Sequence, residues 1–548
     1  MGNDNIPKVQ KALVLQGGGA LGAYEAGVFK AFYDTFYRGQ EGGPFFDIVA
    51  GASIGAVNAT ILVSHAKNKK TWRGSSDTLH RFWGDISTPG RLSPPVWQPL
   101  MGWLDSGFFR QAWSLAAGAR EVWNAYWAQF GPLLSKAGYY YYWPAALYFY
   151  RPDRLGPLAS GDAARRYYAW RQFLALGTPN VLSPGMIQPD AKFLDPSSSL
   201  VRFDNSPLAR VIEEYWLPSK AIATRLEDGE PRLLFVSVDL ESGSTVTFDS
   251  YEKKTEVERG GGEAKGQEDE KAAKKTGNSS KKTTTTTTAT TTMTRRTVYG
   301  DDRAAKYVID YPDGLEMKHL MTSMSSHLRF EYPALEARDS GSSNNGSGKA
   351  HTRHFWDGAY LSNTPLRELL QAHHDYWSKT RGLKEGVPKL QVYIVNLYSG
   401  EEKDVPAAPD EIQDRQYDIL FQDRTRYDEK VAHIVSDYIG LGNSLKSLAE
   451  RSISRISDGR ARAAMEQELR AILDTRARSS TRDGRDRRYS SLLDGRFEVE
   501  VFRVQKLADG RRDIYGKAFD FSATSIKELL SQGESDALAQ IKEGRVGW

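Results

Sequence analysis

Two glycine-rich stretches and one Asp-Gly turn hold the residue types best suited to chemistry. Gly51-Ala52-Ser53-Ile54-Gly55 has the form G-x-S-x-G. Its glycines, Gly51 and Gly55, let a strand turn sharply into a helix and leave Ser53 exposed at the head of a sheet. An alkoxide or acyl transition state at that point meets the positive end of the helix. The pattern also arises by chance. Here, however, it sits between an apolar strand, Phe46 to Ala50, and a small-residue helix reaching about His65. Ser53 is therefore the candidate nucleophile, and a serine nucleophile needs a base and an oxyanion site.

Gly17-Gly18-Gly19-Ala20-Leu21-Gly22 follows the strand Ala12 to Leu15 and precedes a helical pattern from Ala20 to Tyr37. It satisfies G-x-G-x-x-G, which could cradle a pyrophosphate. That use requires an acid at the end of the next strand. Glu41 has about the right spacing but lies in a Glu-Gly-Gly-Pro turn, and the next strand runs into the Ser53 motif instead. The loop suits an oxyanion site better. Amides of glycine are unshielded, and two neighbouring strand ends would bring them near Ser53.

The base is less legible. Of nine histidines (His65, His80, His319, His327, His351, His354, His373, His374 and His433), none stands in a triad context. Asp357-Gly358, between Phe355-Trp356 and Ala359, is the better candidate. Alone it reads better as an Asx-type turn.

The elements that must carry these residues follow from pattern. Strand, helix, strand, helix with short turns implies parallel strands and an α/β sheet. Residues 232–249 read as a strand, a Gly turn and a return strand, and 389–397 as a further buried strand. Residues 72–216 hold ten of the 13 Trp. They read as an aromatic-rich helical insertion packed on the core, or as a lid whose Trp and Tyr touch lipid. Residues 251–296, charged and then Thr-rich, are expected to be a disordered insertion, as are 339–350. The tail reads as mostly helical over 411–478, with a basic linker from Arg476 to Arg488. A late strand, Glu498 to Val504, and a terminal amphipathic helix follow.

Composition limits the function. The 548 residues are 40% hydrophobic and 26% charged, enough for a sizeable core. Lys and Arg number 73 against 69 Asp and Glu, a net charge of +4, which argues against a dedicated nucleic-acid binder. Without cysteine there is no disulfide scaffold, Cys-ligated zinc or thiol nucleophile. No apolar run reaches membrane-spanning length, and the polar start lacks the form of a signal peptide. The expectation is a cytoplasmic or peripheral membrane protein.

Taken together, the Gly17–Gly22 loop, the Ser53 motif and Asp357-Gly358-Ala359 resemble the patatin-like phospholipase family in order and placement. Asn363 and Pro365 resemble that family's Asn-x-Pro continuation, and Val236 to Gly243 its strand and acidic turn. The tail is similar to that of a bacterial subgroup. The resemblance implies a three-layer α/β/α core with a mostly parallel central sheet. Its first part would span 1–71 and its second 205–400. An insertion or lid would occupy 72–204, and a mostly helical extension 401–548.

It further implies a lipid acyl hydrolase with a Ser–Asp dyad. Ser53 would be the nucleophile and Asp357 the base. Gly17, Gly18 and Gly19 would form the oxyanion hole, with Gly22, Gly51, Gly55 and Gly358 supporting the motifs. A carboxylate is a weak base in water, but its basicity rises in a dry pocket. No metal or cofactor is implied, and the expected partner is a lipid or phospholipid ester, with peripheral membrane contact. Many relatives carry Arg in the glycine loop where this chain has Leu21, and Ala359 replaces a second glycine. Two other readings remain: a lipid-binding scaffold on the same fold, and an esterase with a His base such as His373 or His433.

Overall fold

Apolar residues at period two decide the centre of the molecule. In the computed structural model, Leu13, Leu15 and Val49 enter one apolar cluster, while Ala12, Val14, Ile48 and Ala50 enter another. Strands buried on both faces need a helical layer on each side. The structure describes residues 6–37, 44–88, 178, 180–184, 203–216, 218, 220–258, 290–295, 297–299, 307–325, 332–339, 350–400, 405–406, 409–480, 486–507 and 517–548.

The first half comprises β1 (Val9–Leu15), α1 (Gly22–Phe32), β2 (Ile48–Ala52), α2 (Ile54–Lys69) and α3 (Ser75–Ile86). The two-residue pair β3 (Ser183–Pro184) and β4 (Phe203–Asp204), α4 (Ser206–Tyr215), β5 (Arg232–Asp239) and β6 (Ser244–Asp249) follow. Next are β7 (Lys253–Glu258), β8 (Thr290–Arg295), β9 (Thr297–Tyr299), β10 (Tyr307–Asp310), α5 (Met317–Thr322), β11 (Ala334–Asp339) and β12 (Ala350–Asp357). The rest is α6 (Ala359–Ser362), α7 (Leu366–Asp375), β13 (Lys389–Asn396), α8 (Pro409–Phe421), α9 (Arg426–Ser454) and α10 (Gly459–Leu473). Strands β14 (Arg476–Ser480), β15 (Asp486–Arg488) and β16 (Val499–Gln505), then α11 (Ala523–Lys542), end the chain.

The central sheet runs β16-β13-β1-β2-β5-β12-β11-β10-β9, with β6 on the second edge of β5. The first five of these strands are mutually parallel. Helix α7 covers one face through Leu366 and Leu369. Helices α1, α2, α3 and α11 cover the other. This is the mixed α/β architecture with a mostly parallel sheet that the sequence implies.

Three expectations change. The tail is no appendage. β16 pairs along β13 from Leu390↔Val499 to Asn396↔Gln505. α11 lies so close on α1 that a Cβ on Gly27 would sit 2.0 Å from Leu530 O, and one on Gly533 2.0 Å from Tyr24 O. Tyr24 Oη donates to Asp536 at 3.0 Å, and Lys30 pairs with Glu534. Second, the stretch 251–296 is ordered at its ends: β7 pairs antiparallel with β8, from Lys253↔Arg295 to Glu258↔Thr290. Thr is β-branched and favours a pleated strand, a preference that low hydrophobicity hides. Third, the two ends of the basic linker pair with each other, as antiparallel strands β14 and β15.

Most of the aromatic-rich insertion, and residues 259–289 and 340–349, lie outside the described residues. The described start of the insertion is a core helix: Leu79, Phe82, Trp83 and Ile86 of α3 are buried.

Candidate active site

Strand β5 acts as a ruler for the site. Ala52, the last residue of β2, lies opposite Val236, and Asp357, the last of β12, lies opposite Ser237. β6 fills the other edge of β5 from Leu234 to Asp239. β2 and β12 therefore share one edge, run toward each other and stop at consecutive rungs. Ser53 follows the first and Asp357 ends the second, so two residues distant in sequence meet.

Ser53 has φ +52° and ψ −128°, a conformation that a non-glycine residue holds only when its surroundings impose it. Its N–H donates to Ser323 Oγ at 2.9 Å, and Ser323 Oγ donates to Val236 O at 2.6 Å. Its carbonyl accepts from Ala56 N at 2.9 Å, opening α2. The turn has no room for side chains beside it. A Cβ on Gly51 would lie 2.4 Å from Gly55 O, and one on Gly55 2.5 Å from Leu15 O.

Asp357 is buried. Its N–H donates to Ser325 O at 2.7 Å, and Ala359 N donates to its Oδ1 at 2.9 Å. Burial pushes its carboxyl up to about 7, while the Ser53 hydroxyl and the Ala359 amide pull it back toward the ionised form. A Cβ on Gly358 would stand 2.2 Å from Val236 O, so glycine there lets the turn close against β5.

The first glycine loop completes the floor. Gly17 N donates to Asn363 Oδ1 at 2.8 Å, and Asn363 Nδ2 donates to Phe421 O at 2.8 Å. Gln16 clamps the same loop, giving Nε2 to Thr364 Oγ1 at 2.6 Å and accepting Leu397 N at 2.7 Å. The amide of Gly17 is thus already used, which corrects the expectation of three oxyanion donors. The amides of Gly18 and Gly19 donate to no acceptor among the described residues. Gly19 has φ +55°, and a Cβ there would lie 2.1 Å from Ala518 O. Gly22 packs α1 on α2, where a Cβ would meet Ile54 Cγ2 at 2.8 Å.

Above this floor is a cavity of about 110 Å³. Gly17 to Gly19, Ser53 and Asp357 line its base, and Leu208, Tyr360, Tyr398, Tyr417, Phe421, Phe519 and Phe521 its walls. The walls come largely from α8 and from residues 518–521. Lys517 pins those two elements together, bonding Asp414 at 3.0 Å and Asp418 at 2.6 Å.

Among the described residues no histidine lines the cavity. His373 is buried on the far face, bonded to Pro388 O at 3.0 Å, and His433 is exposed on α9. His319 caps α5, and His65 bonds Arg73 O at 2.9 Å. His327 lies outside the described residues. Among the described residues no group of three acidic or His side chains is placed to hold a metal ion, and no helix is long and apolar enough to cross a membrane.

Sequence reasoning missed Ser323, Gln16 and Thr364, and also the buried set behind the loop. There Asn58 Nδ2 donates to Gly22 O at 3.0 Å and to Glu25 Oε2 at 2.9 Å, and Asn58 Oδ1 accepts from Trp83 Nε1 at 3.1 Å. Burial raises the Glu25 carboxyl well above its ordinary range. A Gln ending an apolar strand, just before three glycines, was the one available signal.

The sequence profile described as Patatin-like phospholipase matches residues 13–370. That span includes both glycine stretches, Ser53 and Asp357. No match was found among curated proteins. Among solved structures, VipD from Legionella pneumophila aligns with 98% of this chain and 67% of its own, at 12% identity and a TM-score of 0.25.

Proposed function

The chain belongs to the patatin-like phospholipase family, and on that premise we propose that it hydrolyses lipid acyl esters through Ser53 and Asp357. The carrying observation is a buried carboxyl raised to about 7 beside a serine at a strained strand–helix turn. A general base works best when its pKa lies near the working pH. Ser53 Oγ attacks the ester carbonyl while Asp357 takes its proton. The Gly18 and Gly19 amides, with the N-terminus of α2, stabilise the oxyanion. Asp357 then returns the proton to the leaving alcohol. Water, deprotonated by the same carboxylate, attacks the acyl-enzyme, and Ser53 leaves with the proton restored.

The apolar walls suit an acyl chain. The cavity is smaller than the about 300–1,000 Å³ of sites that enclose a drug-sized ligand. It therefore takes the ester and a short stretch of chain, and longer chains require the aromatic walls to part. Leu361, Ile419 and Leu420 stand exposed beside the wall residues Tyr360 and Phe421 and suit contact with a lipid surface.

The test is release of fatty acid from phospholipid vesicles and of p-nitrophenol from butyrate and longer esters. Ser53→Ala and Asp357→Asn should each lower turnover by about 10³-fold or more while keeping the fold. A wild-type protein without hydrolysis on either substrate would leave a lipid-binding scaffold as the better reading.

A further inference from the structure

Helix α9 is amphipathic in the inverted sense. The face it turns to the body is largely small and polar, with Ala432 on an apolar cluster and Ile453 buried near the helix end. Ser436 Oγ donates to Phe497 O at 3.0 Å, and Asn443 Nδ2 donates to Leu493 O at 2.9 Å. A Cβ on Gly440 would meet the Arg496 guanidinium at 2.8 Å. The face turned to solvent carries Tyr427, Val431, Ile434, Tyr438, Leu441, Leu445 and Leu448. All seven are exposed, from 38% for Val431 to 72% for Tyr427. Val435, exposed at 48%, flanks them.

The spacing of the seven is informative. Their steps alternate four and three without exception, the 3.5-residue period of a coiled-coil seam. At 1.5 Å per residue the seam is about 32 Å long. Solvent-exposed helix faces are normally polar, and monomeric proteins rarely carry contiguous apolar patches above a few hundred Å². The adjoining α10 buries no residue and exposes Met465 and Ile472.

We propose that this face is the interface with a second copy of the chain, joined by antiparallel pairing of the two α9 helices. Two features favour that occupant. The seam is self-complementary about a two-fold axis between Ile439 and Gly440. Val431 then meets Leu448, Ile434 meets Leu445 and Tyr438 meets Leu441, as an isologous contact requires. With its neighbour Val435, the stripe lines up eight exposed apolar side chains along one face, a contiguous patch of the kind that marks a protein interface. The charges beside it, Asp428, Lys430, Asp437, Lys446, Glu450 and Arg451, balance. A helix that lies on an anionic membrane is instead flanked by Lys and Arg.

The test is sedimentation velocity on the full chain at micromolar concentrations. The expected result is a dimer that becomes a monomer in the Leu441→Glu/Leu445→Glu double variant, with ester hydrolysis per chain unchanged. The chain contains no cysteine, so site-directed cross-linking gives a second reading that leaves the seam nearly intact. Mixed Ile434→Cys and Leu445→Cys chains should form a disulfide heterodimer on oxidation, in preference to either homodimer. Three results would overturn the proposal: a monomeric wild type, a dimer that survives the double substitution, or a monomer whose seam variant loses binding to phosphatidylcholine vesicles.

Discussion

The turn around Ser53 and the wall above it are built in opposite ways. The turn is local: Gly51, Ser53 and Gly55 lie within five residues, and a single added Cβ on either glycine would run into backbone. The wall is assembled from afar. Tyr398, Tyr417, Phe421 and Phe519 reach the cavity from segments beyond the family-matched region 13–370. Lys517, Asp414 and Asp418 hold two of those segments together. The difference suggests a division of labour. Chemistry requires fixed backbone, whereas selection among acyl chains requires only side chains that fill space and can be exchanged.

Substitutions can break that comparison, and the largest effect is expected in the turn. Gly55→Val places two branches where one Cβ is already 2.5 Å from Leu15 O. Ester hydrolysis should fall to background, with a loss of about 3 kcal/mol or more in thermal or urea unfolding. Retained activity would show that the turn is as tolerant as the wall.

A smaller, graded effect is expected from pH. The carboxyl of Asp357 sits at about 7 through burial, and only its ionised form accepts a proton. The value of kcat/KM should therefore be level above about pH 7 and fall about tenfold per unit as pH drops below it. The measurement is a pH–rate profile on a soluble ester whose own ionisation is constant. A profile flat down to pH 5 would remove Asp357 from the proton transfer.

The smallest effect belongs to the wall. Tyr417→Ala enlarges the cavity away from Ser53. It should leave butyrate turnover within about twofold and raise the ratio of dodecanoate to butyrate hydrolysis by about tenfold, the scale on which apolar pockets discriminate. An equal loss on both esters would mean that the wall, too, positions the chemistry.

The same contrast governs what could be read in the sequence. Ser53 and the glycine loop were legible because each motif is short and sits between a strand and a helix, whereas Asp357-Gly358 stood out only through its order after those two motifs. Glu498 to Val504 was recognisable as a strand from its own residues. Its place beside β13 was not, since alternation tells which face is buried and not which strand is the neighbour. The use of the Gly17 amide was hidden for a similar reason, because its acceptor, Asn363, arrives from the α6–α7 junction. The strand Thr290–Arg295 was hidden because low hydrophobicity outweighs β-branching as a signal. The seam on α9 was hidden because a helical pattern does not tell which face packs inward; Ser436 and Asn443, bonded to Phe497 O and Leu493 O, turn it outward.

The central claim is that one serine becomes acylated because one carboxylate takes its proton. Labelling with an alkyl fluorophosphonate, read by intact mass and peptide mapping, tests it most directly. Wild type should gain one adduct, on the peptide containing Ser53, and Asp357→Asn should gain it about 10²–10⁴-fold more slowly. An adduct mapped elsewhere, or equal labelling rates in the two proteins, would contradict the account.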